Sequence, residues 1–207
     1  MAERKKFIEV EIPLLGTSFN VLGSQEELKG KTIKMDLTRR LRGKGLTMIF
    51  KIFQEDKKLV AIPYRMELVK SYIKRIMRKR ADYVEDSFKG SCADISAIIK
   101  PFLITRKKVS RAVRKNLRNT TKEFIIEYIK EKEFNEVCNE LKNGTFQKAM
   151  LPRLKKVYPL SFCDIRVFET KEIEKVDLKK AIKEEAEEGY EEESYLEDKE
   201  EKNEEVE

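Results

Sequence analysis

Residues 46–69 read LTMIFKIFQ (46–54), EDK (55–57) and KLVAIPYRMELV (58–69), and this stretch decides the fold. Two runs of strand length, rich in β-branched and aromatic residues, flank the polar tripeptide Glu55-Asp56-Lys57, the pattern of a β-hairpin. Upstream, Phe7-Ile8-Glu9-Val10-Glu11-Ile12 alternates and Pro13 closes it, while Ser18 to Leu22 and Thr32 to Leu37 supply further short strands. Lys29-Gly30-Lys31 and Arg42-Gly43-Lys44-Gly45 are basic, glycine-punctuated turns. Downstream, Ala81 to Phe88 and Ile95 to Thr105 are again β-rich and flank a Lys89-Gly90-Ser91 turn. So many short strands in sequence predict a mainly antiparallel sheet, either strongly curved or closed as a barrel, across residues 5–105.

From residue 106 the period changes. Thr120-Thr121-Lys122-Glu123 fits a capping box, with Phe124, Ile125, Tyr128 and Ile129 following at helical spacing, so a helix is expected to start there. Phe134, Val137, Cys138 and Leu141 form a second stripe ending at Asn143-Gly144, a normal helix stop. A third helical stretch runs from about Thr145 to Val157, with Pro152 kinking it or marking its first turn. Residues 162–170 then read as a returning strand, with Phe162, Asp164, Arg166 and Phe168 on one face. The expectation is an α+β body, residues 1–183, followed by a disordered acidic tail, residues 184–207.

The formal charge of +7 conceals a segregation. Residues 184–207 hold 14 acidic residues against Lys199 and Lys202, a net of −12, and the other 183 residues carry +19. Such an excess repels itself and is commonly neutralised by a polyanion, most often nucleic acid. A solvated surface that merely favours lysine is the blander alternative.

The cations cluster. In residues 106–118, Val109, Ala112, Val113 and Leu117 fall on one helical side, while Lys107, Lys108, Arg111, Arg114, Lys115 and Arg118 fall on the other and Arg106 opens the run. An ordinary solvated helix intersperses acids for pairing four residues apart, and none occurs in this segment. A basic amphipathic helix can also lie on an anionic membrane, but this apolar side lacks the Trp or Phe that would insert. Residues 71–80 repeat the arrangement, with Tyr72, Ile73, Ile76 and Met77 on one arc and Lys74, Arg75, Arg78 and Lys79 on another. A third cluster, Arg39, Arg40, Arg42 and Lys44, sits beside Gly43 and Gly45, whose bare backbone lets N–H groups approach a phosphate; a flexible hairpin tip would look the same. Lys5 and Lys6, opening the first strand, complete the candidate RNA-binding set.

Several function classes are disfavoured. The chain has no histidine, so Ser- or Cys-based triads with histidine and histidine-containing metal sites cannot be assembled from it. Cys92, Cys138 and Cys163 are widely separated and form no CxxC pair, which points to buried free thiols. No cofactor or metal is expected. Asp36, Asp56, Asp82 and Asp86 could supply a two-metal nuclease site but lack a diagnostic spacing. The longest apolar runs fall far short of the roughly 20 residues that span a bilayer, and the opening residues lack the apolar region of a signal peptide, so a cytoplasmic protein is expected. No RNP-type aromatic signature, KH-type GxxG or Walker loop is present, so recognition would rest on RNA shape and backbone.

Lys5-Lys6-Phe7, Leu28-Lys29-Gly30-Lys31 before Met35-Asp36-Leu37-Thr38, the Thr105 to Lys115 segment, and Val157-Tyr158-Pro159-Leu160 followed by Ile165-Arg166-Val167-Phe168 stand in an order and spacing that resemble one family. The chain is similar, over about Lys5 to Lys171, to the archaeal and eukaryotic small-subunit ribosomal protein e-S-one family, formerly S-three-Ae. The resemblance implies a non-catalytic β-barrel and helix protein that binds small-subunit rRNA. It implies a place on the platform of the small subunit, near the mRNA exit, beside other small-subunit ribosomal proteins and within reach of mRNA or initiation factors. A free RNA-processing or RNA-chaperone protein and, further off, a metal-dependent nuclease are the rival readings.

Overall fold

The structure is a computed structural model that describes residues 6–55 and 58–171. The hairpin at the centre of the sequence forms as read: β4 (Leu46–Glu55) and β5 (Lys58–Leu68) pair antiparallel along their length, with a bulge between Ile49 and Phe50. The other edge of β5 is shared. Its first half pairs in parallel with β1 (Lys6–Ile12) through Val10 and Glu11, and its second half pairs antiparallel with β9 (Leu160–Thr170) through Arg65 to Glu67. Beyond β1 lies β2 (Thr17–Gly23), and beyond β4 lies β3 (Thr32–Asp36). β9 in turn pairs with β8 (Ser96–Thr105), whose far edge carries β6 (Tyr83–Glu85) and β7 (Phe88–Ser91). Among the described residues no pairing joins β2 or β3 to β6 or β7, so of the two expected forms the sheet takes the open one.

The returning strand is therefore the seam of the sheet, inserted between strands formed by distant parts of the chain. Its register against β8 shifts at Arg166 and again at Ser161, and in the regular stretch between them Cys163, Asp164 and Ile165 are all buried, so the strand is covered on both faces there.

The helices are α1 (Gln25–Leu28), α2 (Lys70–Ile76), α3 (Arg111–Ile129), α4 (Phe134–Asn143) and α5 (Thr145–Val157), with a 3-10 turn at Pro13–Leu15. The last three cover the sheet with the expected stripe: Phe124, Val137 and Leu141 are buried and Tyr128 is half-buried. Phe134 of α4 stacks on Phe168 of β9 with centroids 4.8 Å apart, and Phe146 of α5 takes the edges of Phe124 and Tyr128. Gly144 adopts φ 83 and returns its N–H to the Glu140 carbonyl, the left-handed stop expected at Asn143-Gly144.

Two local expectations are corrected, the start of α3 and the turn at Lys89 to Ser91, and the alternative left open at Pro152 is decided. α3 starts at Arg111, not at Thr120, because the Ser110 hydroxyl accepts the Val113 N–H and caps it. Thr121 sits mid-helix, buried, and donates its hydroxyl to the Leu117 carbonyl four residues back. Lys89-Gly90-Ser91 is strand rather than turn, and α3 lies so close above it that a β-carbon at Gly90 would stand 2.5 Å from Ile129 Cδ1. Pro152 lies inside α5 rather than at its first turn. The three thiols are free and buried, and burial pushes that of Cys92 up to about 12. The acidic segment 184–207, Lys5 and Asp56 lie outside the described residues.

Candidate nucleic-acid interface

The sheet and its long-range hydrogen bonds gather cationic segments that are far apart in sequence. Between β3 and β4, Asp36 accepts both the backbone N–H and the hydroxyl of Thr38 and turns the chain. Those two bonds, hydroxyl first, with Arg39 beside them, hold its carboxyl below the usual range. Arg39, Arg40 and Arg42 stand exposed on this loop. Arg75 of α2 donates from Nη2 to the Gly43 carbonyl at 3.2 Å, and the Val69 N–H donates to the Gly45 carbonyl. Gly45 has no room for a side chain, since its β-carbon would lie 2.6 Å from Tyr72 Cβ. Loop 38–45 and α2 are thereby one surface.

A second junction lies at Asp82. Its backbone exchanges hydrogen bonds with Thr105, which donates its N–H to the Asp82 carbonyl at 2.9 Å while its hydroxyl accepts the Asp82 N–H at 3.1 Å. The Asp82 carboxylate accepts the Val109 N–H at 2.9 Å. This node sets Arg78, Lys79 and Arg80, just before it, beside Arg106, Lys107 and Lys108, which lie between Thr105 and Val109. All six are exposed.

From Ser110 the first turns of α3 carry Arg111, Lys115 and Arg118 exposed and Arg114 half-exposed, with Leu117 buried beneath. Three placements differ from the sequence reading. Arg106, Lys107 and Lys108 precede the helix because Asp82 holds the Val109 N–H. Ala112, expected on the packing side, is exposed. Arg78 and Lys79 leave the second helix because α2 stops at Ile76 and Arg80 takes φ 66.

Lys44 is only partly exposed, and its charge is already engaged. Its ammonium donates to the Asp164 carboxylate at 2.9 Å and to the Leu141 carbonyl at 3.2 Å. Asp164, 4% exposed, also accepts Gln147 Nε2 at 2.6 Å and the Ile165 N–H at 2.8 Å. A buried carboxylate requires such partners, so Lys44 bolts the loop to α4, α5 and β9. Lys142 plays a similar part that the sequence did not disclose. Its ammonium donates to the Leu14 carbonyl at 3.0 Å, and burial, with Arg40 nearby, lowers its pKa. Lys6 is exposed on β1 opposite Gly23, and no interaction among the described residues ties it to the other clusters.

Two features mark the joined surface electrostatically. Arg39, Arg40, Arg42, Lys74, Arg75, Arg78, Lys79, Arg106, Lys107, Lys108, Arg111, Arg114, Lys115 and Arg118 form no ion pair with any described acid. The pairs that do form, such as Arg65 with Glu67 and Glu169, Arg166 with Glu85 and Lys132 with Glu140, lie elsewhere. The two non-glycine residues with positive φ among those described, Arg42 and Arg80, are both arginines in these loops. Glycine would hold that backbone with less strain.

The aspartates considered for a nuclease are employed otherwise: Asp36 turns its loop, Asp82 holds Val109 and Asp86 caps the Ser87 N–H. No group of three acidic or cysteine side chains placed to hold a metal ion occurs among the described residues, and no described helix is long and apolar enough to cross a membrane.

An open sheet braced by helices, with cationic segments from distant parts of the chain brought side by side, defines a basic α+β protein. The family comparison makes that specific: the model of the Ribosomal S3Ae family matches residues 4–176, and the chain belongs to this family. A curated relative, the small ribosomal subunit protein eS1 of Nanoarchaeum equitans (strain Kin4-M), is 23% identical over 148 residues, 69% of this chain and 75% of that protein. The chain is accordingly a structural protein of the small ribosomal subunit, not an enzyme.

Proposed function

We propose that the protein anchors itself to small-subunit rRNA through the joined surface formed by loop 38–45, α2 with residues 77–80, residues 106–108 and the start of α3. The observation that carries this is that, Lys44 aside, none of the sixteen cations on that surface forms an ion pair with a described acid. Such a surface gains its counter-charge from phosphates and releases condensed counterions as it does so. With no described base-reading motif, affinity comes from backbone and shape, which suits a large folded RNA. Family resemblance supports a seat on the platform near the mRNA exit, contacts with neighbouring ribosomal proteins, proximity to mRNA or initiation factors, and a cytoplasmic location.

The body, residues 1–183, binds the RNA, and for the acidic extension 184–207 a solvated stretch that only maintains solubility stands against two sharper readings, competition with RNA for the cations at low salt or a contact with a basic neighbouring protein. Truncation after Lys183 is expected to tighten non-specific RNA binding most at low ionic strength, where screening is weakest, without moving the thermal midpoint. Equal affinities would remove the competition.

The whole reading is tested by sucrose-gradient sedimentation of tagged protein from its own cells. Co-sedimentation with small subunits through a high-salt wash is expected. Protein that leaves the subunit under that wash while still binding RNA would instead be a free RNA-processing or chaperone protein. RNA degradation on adding magnesium would point to a nuclease.

A further inference from the structure

We propose that Tyr83 is a stacking platform for one unpaired RNA base, set inside the cationic surface; this deepens, and rests on, the reading that the surface binds RNA. Tyr83 is 55% exposed, unusual for a large ring on a strand three residues long. Its hydroxyl has no hydrogen-bond partner among the described residues. One side of the ring leans on Phe102, with centroids 6.5 Å apart and planes inclined by 31°, and Phe102 is itself 1% exposed. Phe102 meets the edge of Phe162 at 6.3 Å, and Phe162 meets Tyr72 at 6.2 Å. At the far end the Arg75 guanidinium lies 5.4 Å from the Tyr72 centroid. The four rings form a row from α2 across β9 and β8 to β6, capped by a cation at one end and open at the other.

The open end is fixed in place. Tyr83 pairs with Ile104 in the sheet, and Asp82, the residue before it, is held by Thr105 and by the Val109 N–H. That same node brings Arg78 to Arg80 and Arg106 to Lys108 together, so Tyr83 stands one residue along the chain from the point where two exposed cationic runs meet. An aromatic face held rigidly among unpaired cations is the arrangement that takes a single-stranded nucleotide. The cations take the phosphates to either side and the ring takes the base, with little sequence preference because every base has a π-face. Stacking releases no counterions, so removing the ring must lower affinity without altering salt dependence, the reverse of removing a phosphate-binding cation.

The test uses the full chain and two RNA probes of equal length, one a hairpin with 2-aminopurine in its single-stranded loop and one a fully paired duplex. Native protein and Tyr83→Phe are expected to change the 2-aminopurine fluorescence on binding. Tyr83→Ala and Tyr83→Thr, the second keeping a β-branched residue in the strand so that folding survives, are expected not to. Both should bind the hairpin about 5- to 150-fold more weakly, the range of one base stack, with an unchanged salt slope and unchanged duplex binding. Full hairpin affinity in a folded Tyr83→Thr variant, or equal losses on hairpin and duplex, would overturn the platform. The RNA-binding reading is scored separately by replacing Arg106, Lys107 and Lys108 with Gln. If that triple variant loses affinity while Tyr83→Thr does not, the surface stands without the platform; if neither loses affinity, the surface reading fails with it.

Discussion

Loop 38–45 and residues 106–118 look alike in sequence, each a run of cations without a single acid, yet they use their charges differently. The loop turns Lys44 inward to Asp164 and Leu141 while Arg39, Arg40 and Arg42 face solvent. The helical stretch turns none of its cations inward. Its anchoring is done by a neutral backbone N–H, that of Val109, on Asp82, and by Leu117 in the core. A cation's task is thus set by whether a buried acid lies within reach. Here that acid sits 120 positions further along the chain. Structural and solvent-facing cations can be neighbours within three residues, and replacing them should have effects of different kinds.

The largest expected effect is on the inward side. Asp164→Ala leaves the Lys44 ammonium and the Gln147 amide without their acceptor, and should cost about 3–5 kcal/mol, as removal of one partner of a buried pair does. Denaturant unfolding measures it, and a cost under about 1 kcal/mol would reduce the pair to a surface ion pair and erase the contrast. Leu141→Ala, under the same node, should cost roughly 2–5 kcal/mol by opening a cavity. A smaller loss would mean that the helices close over the gap. On the outward side, Ser110→Ala should cost about 1 kcal/mol by uncapping α3, read as a lower midpoint in the same unfolding experiment. An unchanged midpoint would show that Asp82 and Val109 alone define where the helix begins.

Much of this was legible in the sequence, and the failures have a common cause. The hairpin at residues 46–69, the switch from strand to helix, the stripe of Phe134, Val137 and Leu141 and the stop at Gly144 are local patterns, and they formed as read. The errors lie where a distant contact overrides a local pattern. The apolar period of residues 71–80 continues past Ile76, but the chain is claimed by Asp82 and Thr105, so α2 ends early. Thr120-Thr121-Lys122-Glu123 has the grammar of a cap, yet Ser110 reaches the Val113 N–H first and the helix runs straight through. Strand order was not readable at all. Nothing local tells that β1 pairs in parallel with β5 or that β9 inserts between β5 and β8. Of the candidate site, exposure was foreseen for the arginines and for most of the lysines, but not the ion pair of Lys44 with Asp164. A signal for it existed: an aspartate alternating with Phe162 and Phe168 on a strand face requires a buried partner.

The central claim is that the outward cations, and not the inward ones, meet phosphate. It is tested most directly by the salt dependence of binding to small-subunit rRNA, compared between Lys44→Met and a variant with Arg111, Arg114, Lys115 and Arg118 all replaced by Gln. The slope of log K against log salt should become shallower by about 0.7–0.9 for each phosphate that the fourfold variant no longer neutralises, with folding intact. Lys44→Met should lower stability and leave the slope unchanged. A fourfold variant with the native slope, or a Lys44→Met variant with a shallower one, would contradict the assignment.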